Sequence, residues 1–398
     1  MPPAIYALLL VNFAVGTQGF VFGGLLAEMA ADLGIAVGTA GLAITASAVT
    51  FALGSPVFAV LLAGRERRGV LATGLAVLLL GNLACMLAPD FGTLVALRVV
   101  TGTGAALVGA VGGATAAQLV SPEKRGRALA LVLGGLTLAF MLGLPLGSLA
   151  GGAYGWRACF ALSAAVTALA LAALAAVMPK VPPVPGPAPS ARALLRIPPV
   201  QAAFATNFLA FAGAFCVVAF TGPLVNQVTG LSGAAVGPFQ ACIGAGSLLG
   251  LAFGGRAADS PGGRAALAAA LVLLLLCQLA YAGLLAGWGG TRSAWLLAGT
   301  ILLSAAALFA VVPILQSRLA ALAGPATALA LALNGSLVSL GQGAGAAAGG
   351  LARNRFGFAA AGLLGATVVV SAILAARRVI PASAASPSAP GSPSRPGP

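Results

Sequence analysis

Apolar, nearly uncharged runs of about twenty residues recur along the chain, each ended by charge, proline or a glycine cluster, and that length lets a helix cross a bilayer. They predict helices near 5–27, 40–63, 69–88, 92–119, 127–154 and 157–178, and a second six near 200–225, 233–255, 264–287, 293–317, 326–351 and 357–376. Between the two sixes, from Pro179 to Pro199, the chain is too proline-rich and polar to span, and is expected to act only as a tether. The organisation expected is thus an N-terminal half over 1–178, a linker over 179–199 and a C-terminal half over 200–380. The tail over 381–398 is Pro, Ser and Ala and is expected to be disordered.

One stretch, Gly134 to Trp156, has Gly135, Ala139, Gly143, Gly147 and Gly151 at every fourth position, so a strip almost without side chains runs down one face. In water each such glycine would weaken a helix by about 1 kcal/mol relative to alanine. In lipid the larger penalty for unpaired backbone groups keeps the segment helical. Pro145 interrupts its hydrogen-bond ladder. The spacing returns 198 residues on, at Gly341, Gly345 and Gly349, with Arg157 and Arg355 in step. The halves therefore look like parallel repeats, a transporter plan with substrate near the midplane. The strips are expected to be close-packing surfaces that mark where the halves rock.

Composition sharpens this picture. With 60% hydrophobic and 7% charged residues and a mean hydropathy of +1.07, the 398-residue chain cannot coat a soluble globule with charge. The net charge of +14 reflects 6 acids against 20 Lys and Arg. With twelve crossings, Arg65, Arg67, Arg68, Lys124, Arg125, Arg127, Lys180, Arg192, Arg196, Arg256, Arg264, Arg318, Arg377, Arg378 and Arg395 share one side with both termini, against Arg157, Arg292, Arg353 and Arg355 on the other. That bias predicts cytoplasmic termini and a cytoplasmic linker. No soluble domain carries a basic face, which argues against nucleic-acid binding. Histidine is absent, which removes the commonest proton shuttle and metal ligand. The five cysteines lie in or beside apolar runs and imply no disulfide framework. Without paired acids, a ligand cluster or an activated nucleophile, the chain is expected to be no enzyme and to hold no metal or cofactor.

Four stretches carry a family resemblance: the opening MPPAIYALLLVNFAVGTQGFVFGGLLAEMAADLG, the turn GRERRGVL, the run LGNLACMLAPDFGTLVALRVVTG and the segment GLPLGSLAGGAYGWRACF. Together they resemble the major facilitator superfamily in its drug:proton antiporter branch, and are similar to chloramphenicol exporters and arabinose-type sugar efflux proteins. The resemblance implies an all-α integral membrane fold, twelve transmembrane helices in two six-helix halves. The family's RxxxGxG motif is matched by Arg98, Gly102 and Gly104, and the resemblance gives Arg98 a part in proton transfer. The alternative is that Arg98 pairs with backbone carbonyls and locks the bundle. Either way, an arginine in a span costs about 2.5–3.5 kcal/mol on insertion scales and should face protein or water. The family's helix 5 motif is matched loosely by Gly143, Pro145 and Gly147, with Gly341 and Gly345 as counterparts in the second half. Its basic turn is matched by Gly64, Arg67 and Arg68, and in the second half by Arg256 and Asp259. Where the family usually places an Asp before the first basic turn, this chain has Ala63, so a gate ion pair is expected only from Asp259. The branch commonly carries an acid in helix 1, where this chain reads Gly16, Thr17, Gln18, Gly19, Phe20. Glu28, nearer the outer end, is the remaining acidic candidate for proton coupling beside Arg98.

Asn12, Thr17, Gln18, Asn207, Gln240 and Asn334 are candidate polar linings of a central cavity, with Phe140, Phe208, Phe211, Phe215 and Phe239 as apolar walls. Each polar residue would serve equally as glue between helices, and the stripe Phe204, Phe208, Phe211, Phe215 would equally face lipid. Trp156, Trp288 and Trp295 are expected to be interfacial anchors. A cavity poor in charge suits a small uncharged or weakly polar solute, because a buried charge would need a partner. The expected function is efflux of such a compound by alternating access, coupled to protons, by a monomer in the inner (plasma) membrane. Its expected partners are the small-molecule substrate, protons and the lipid bilayer, with no nucleic acid. The alternatives are a sugar or metabolite exporter or an uncoupled facilitator of the same fold and, more distantly, a non-transporting receptor or scaffold.

Overall fold

The computed structural model describes residues 1–121, 124–183, 194–258, 260 and 262–379. Asp259, the middle of the linker and the tail beyond Val379 lie outside the described residues. Among the described residues all regular structure is helical, in twelve long rods. They are α1 (Pro3–Asp32), α2 (Val37–Leu61), α3 (Arg67–Met86), α4 (Phe91–Gln118), α5 (Arg127–Tyr154), α6 (Arg157–Val177) and α7 (Pro198–Val218, continued by Thr221–Thr229). The second six continue with α8 (Gly233–Ala258), α9 (Gly263–Leu285), α10 (Gly290–Ala323), α11 (Thr327–Phe356) and α12 (Phe358–Ala376). Eleven are long and apolar enough to cross a membrane. The other, α11, is interrupted by Asn334, Ser336, Ser339 and Gln342. In α5 the ladder loosens to a π-turn over Ala139–Gly143 just before Pro145, which supplies no N–H.

The glycine strips set the packing within each half. A Cβ on Gly143 would stand 2.6 Å from Thr17 Oγ1, and on Gly147 or Gly151 it would strike the Val21 carbonyl or the Leu25 side chain, so α5 lies backbone-close along α1. Gly341, Gly345 and Gly349 of α11 face the carbonyls of Phe208, Ala212 and Cys216 on α7 in the same way. A third strip, Gly246, Gly250 and Gly254 of α8, faces the carbonyls of Leu302, Ala306 and Ala310 on α10. The strips thus bind helices inside one half and do not form the surface along which the halves meet. Fourfold spacing dictates that two backbones approach; it does not say which ones.

The repeat recurs at the turns. Gly155 after α5 and Gly357 after α11 have nearly the same backbone, φ 84° with ψ 160° and φ 84° with ψ 166°, which a side chain would strain. Arg157 follows its turn and opens α6, whereas Arg355 precedes its turn in the last coil of α11, so these two arginines are not structural equivalents.

At the end that carries the basic turns the halves part. One apolar cluster there, including Ile5, Leu8, Leu71, Val111, Val132 and Leu174, draws only on α1–α6 and Met178, and another, Leu194, Ala323 and Ala330, only on the second-half side. The large cluster runs the length of the second half, with Val200, Ala257 and Leu319 at the basic end, and takes in first-half residues such as Val21, Leu25, Ile44 and Phe160 only toward the opposite end.

At the basic end Glu66 caps α3 and clasps the start of the linker. Its carboxylate accepts the N–H groups of Arg68 (2.8 Å), Gly69 (2.7 Å) and Val181 (2.9 Å), while Arg67 N–H donates to the Val181 carbonyl (3.0 Å). Partial burial pushes the Glu66 carboxyl up, but the N–H groups of Val181, Arg68 and Gly69 outweigh it and hold the group below its usual value. The clasp is therefore at full strength above the ordinary carboxyl range and is lost as pH falls through the lowered value. Glu66→Ala should speed tryptic cleavage after the exposed Lys180 by roughly tenfold at neutral pH, as loss of a cap worth about 1–2 kcal/mol implies. Equal rates in the two proteins would refute the clasp.

Candidate functional site

Arg98 is the largest fully buried side chain, and α4 places it against α1 and α2. A guanidinium has five N–H donors, and each finds a neutral acceptor. Nε donates to the Ala43 carbonyl (3.1 Å); Nη1 to the carbonyl (2.9 Å) and Oε1 (2.8 Å) of Gln18; Nη2 to Ser47 Oγ (2.6 Å) and the Gly19 carbonyl (3.3 Å). Thr101 Oγ1 stands further off at 3.4 Å, and the Phe22 ring lies 5.0 Å from the guanidinium carbon. Gly102 brings α4 close enough to α2 for this, since a Cβ there would lie 2.8 Å from the Ser47 carbonyl. Gly104 does the same against Gly74 and Leu78 of α3. Among the described residues the one ion pair is Arg157 with Asp32, at 2.6 Å where α1 and α6 meet at the end opposite the basic turns. Beside Arg98, nothing lies within 4 Å of where a side chain on Gly19 would begin.

At mid-depth five phenylalanines close a ring across the junction of the halves. Phe20 of α1 stacks on Phe140 of α5 (5.5 Å between centroids) and tilts against Phe215 of α7 (5.3 Å). Phe140 meets Phe309 of α10 edge-on (5.4 Å), Phe309 meets Phe211 (6.2 Å), and Phe211 completes the circuit to Phe215 (6.3 Å). The phenylalanine stripe of α7 is thus turned inward: Phe204, Phe211 and Phe215 are buried and none of these three faces lipid. One turn toward the basic end, Asn207 donates to Asn334 Oδ1 at 2.8 Å, and its own oxygen is buried without a partner.

Beyond the ring, toward the end opposite the basic turns, neutral hydrogen bonds and one carboxylate join the halves. The Gln240 amide satisfies all its neighbours when its nitrogen faces Ser148 Oγ (2.6 Å) and the Leu144 carbonyl (2.8 Å) and its oxygen faces Gly24 N–H (3.2 Å). Asn354 accepts from Gly38 N–H (3.1 Å) and donates to Thr39 Oγ1 (3.3 Å). Thr45 donates to the Gly343 carbonyl (2.9 Å), and Glu28 accepts from Gly233 N–H (3.2 Å).

The candidates from sequence fall into four groups. Arg98 and Gln18 form one centre, Phe140 and Phe211 belong to the ring, Asn207 pairs with Asn334, and Gln240 and Glu28 bridge the halves. Thr17 is buried against Gly143 with its hydroxyl unpartnered, and Asn12 bonds back to the Leu8 carbonyl of its own helix. At the basic end Gly64 is open, Arg67 and Arg68 donate to the carbonyls of Ala63 and Ala175, and Arg256 donates to the Ala252 carbonyl of its own helix, its expected partner Asp259 lying outside the described residues. Trp288 and Trp295 are exposed, but Trp156 is buried and donates to Asp32, so it anchors α1 to α6 and not the protein to the membrane surface. Sequence reasoning did not single out Phe309, Ser47, Ser148 or Asn354, and missed Phe20 as a wall. None stands out from its run, and only the partner across the junction gives it a role.

The family model described as Major Facilitator Superfamily matches residues 8–327. The inner membrane transport protein YdhP of Escherichia coli strain K12 is 31% identical over 375 residues, 93% of this chain and 94% of that protein. A chloramphenicol resistance protein of Streptomyces lividans is 34% identical over 265 residues, 65% of this chain and 67% of that one. Among solved structures, a bacterial homologue of the human lysosomal transporter Spinster, inward-facing and unoccupied, superposes with a TM-score of 0.76 at 18% identity. That match covers 94% of this chain and 97% of the other, and it is a likeness of fold.

Proposed function

Because the chain belongs to the major facilitator superfamily, and so is a multi-pass membrane transporter and not an enzyme, we propose that it exports a small uncharged or weakly polar organic compound by alternating access. The observation that carries this reading is the ring of five phenylalanines at the junction, next to the neutral Asn207–Asn334 pair, with every Arg98 donor already engaged. An apolar, aromatic wall with neutral polar groups nearby suits an uncharged ring-bearing solute better than an ion. The named activity of the Streptomyces lividans relative makes chloramphenicol the first compound to try.

In this proposal the basic turns and both termini are cytoplasmic. The conformation described is then inward-open, closed outside by the bonds of Gln240, Asn354, Thr45 and Glu28. The halves 1–178 and 200–380 rock about the linker, and the working unit is the monomer. Export is proton-driven, and Glu28 is the acid that loads from outside, since its carboxylate lies across the outer closure. Inside-out vesicles should accumulate labelled chloramphenicol when acidified within, and lose it when the gradient is collapsed. Vesicles no different from those without the protein would sink the chloramphenicol assignment; accumulation indifferent to the gradient would sink the coupling. Proton-coupled export unchanged by Glu28→Gln would remove Glu28 from that role.

A further inference from the structure

Behind the phenylalanine ring, toward the outer end, the second half encloses a cavity of about 20 Å³ among α7, α8, α9 and α10. Phe309 is both a member of the ring and part of this cavity's wall. A smaller space of about 10 Å³ directly behind Phe20 and Phe140 shares Val218 and Thr221 with it, so the two lie side by side across the junction. The larger cavity's walls are mostly aliphatic. Its polar members are Thr221, whose hydroxyl already donates to the Val218 carbonyl at 2.6 Å, Ser304 and Tyr281.

Tyr281 is fully buried; its hydroxyl makes no hydrogen bond of good geometry within the chain, and its nearest polar neighbour is the Ser304 hydroxyl. Interiors rarely leave such a group unpaired. Ser304 alone leaves this hydroxyl poorly paired, and the adjoining space admits a single small atom group that could bring an acceptor from outside the chain. One water would fit by size, yet it would find few partners here besides Tyr281 and Ser304. The position favours a ligand instead, because Phe309 lines the same cavity as Tyr281 and is itself a member of the aromatic wall of the junction.

We propose that this cavity is a specificity subsite for the transported molecule: an aromatic substrate lies against the phenylalanine ring and passes one small hydrogen-bond acceptor, a carbonyl or ether oxygen, beside Phe309 to the Tyr281 hydroxyl. This deepens the export reading and rests on it for the word substrate, but the binding event can be tested without transport. The probe is 4-fluoroacetophenone, observed by fluorine NMR with the full chain in lipid nanodiscs; 1-fluoro-4-isopropenylbenzene, the hydrocarbon in which a CH2 group replaces the carbonyl oxygen, is the control. Broadening of the ketone signal should fall about fivefold in Tyr281→Phe, the size of one neutral hydrogen bond, while the hydrocarbon signal stays the same. Ser304→Val, which fills the space beside the hydroxyl, should also weaken the ketone signal, and melting temperatures of both variants are measured alongside. Ketone broadening equal in the native protein and Tyr281→Phe, absent from both, or lost together with that of the hydrocarbon would overturn the subsite and leave the cavity to water. Failure of chloramphenicol accumulation in vesicles would sink that assignment while leaving the NMR outcome to stand or fall alone.

Discussion

Gly345→Leu and Gly147→Leu are each expected to abolish transport and to lower the melting temperature sharply in detergent. A Cβ on Gly345 meets the Ala212 carbonyl and stands 3.0 Å from the Phe215 Cβ; on Gly147 it meets the Val21 carbonyl. Backbone cannot swing aside as a flexible side chain would, so the helices must separate. Overpacking of this kind costs about 1–3 kcal/mol at ordinary core sites, and here it would also open the α7 stripe that supplies two members of the phenylalanine ring. Because the strips lie within the halves, the damage should be to folding as well as to rocking. Membrane insertion should survive, since leucine adds hydrophobicity. Gly335→Leu is the control on the same helix: that position is exposed, with nothing within 4 Å. If Gly335→Leu and Gly345→Leu melt alike, the close approach of α11 to α7 is not what holds the second half.

Arg98→Leu is the other large effect. It removes one charge and takes the donor from the Gln18 side-chain oxygen and from the carbonyls of Gln18, Gly19 and Ala43, and leaves the Ser47 hydroxyl only its bond to the Ile44 carbonyl, all at a junction of three helices. Leaving a buried polar group unpaired costs about 1–3 kcal/mol, so a loss on the order of 3–5 kcal/mol is expected even after relaxation, enough to deplete folded protein. Arg98→Lys keeps the charge but offers three donors in place of five. It should retain part of the stability and be the better variant for asking whether the charge itself matters to transport. Thermal melts in detergent give the order native, Lys, Leu; a Leu variant as stable as the native protein would show that the arginine does not organise this junction.

Much of the fold was legible because lipid allows so few solutions. Spans and basic turns follow from runs of apolar residues and from where Arg and Lys interrupt them, and twelve rods are found close to the expected boundaries. The partners of the glycine strips were not legible, since Gly147 and Gly345 announce a close neighbour without naming it. Polar residues in spans were ambiguous for a similar reason. Gln18 and Gln240 look alike in sequence, yet one holds Arg98 inside the first half and the other ties the two halves together. The ring was hidden because its members come from four helices, and Phe20 and Phe309 each stand in otherwise unremarkable runs. Tyr281 gave no signal at all: a lone tyrosine in LAYAGLL is indistinguishable from an ordinary core residue until the space beside its hydroxyl is seen.

The modest apolarity of α11 bears on how the protein is made. A 30-residue helix carrying Asn334, Ser336, Ser339 and Gln342 gains less on entering lipid alone than its neighbours do. Its glycine strip has one place to dock, the Phe208–Cys216 face of α7, which leaves the ribosome more than a hundred residues earlier. Until then that face of α7 waits uncovered in the bilayer. The second half should therefore assemble late, when the last two spans emerge, and chains truncated before Thr327 should be cleared by membrane proteases while the first half is already protected.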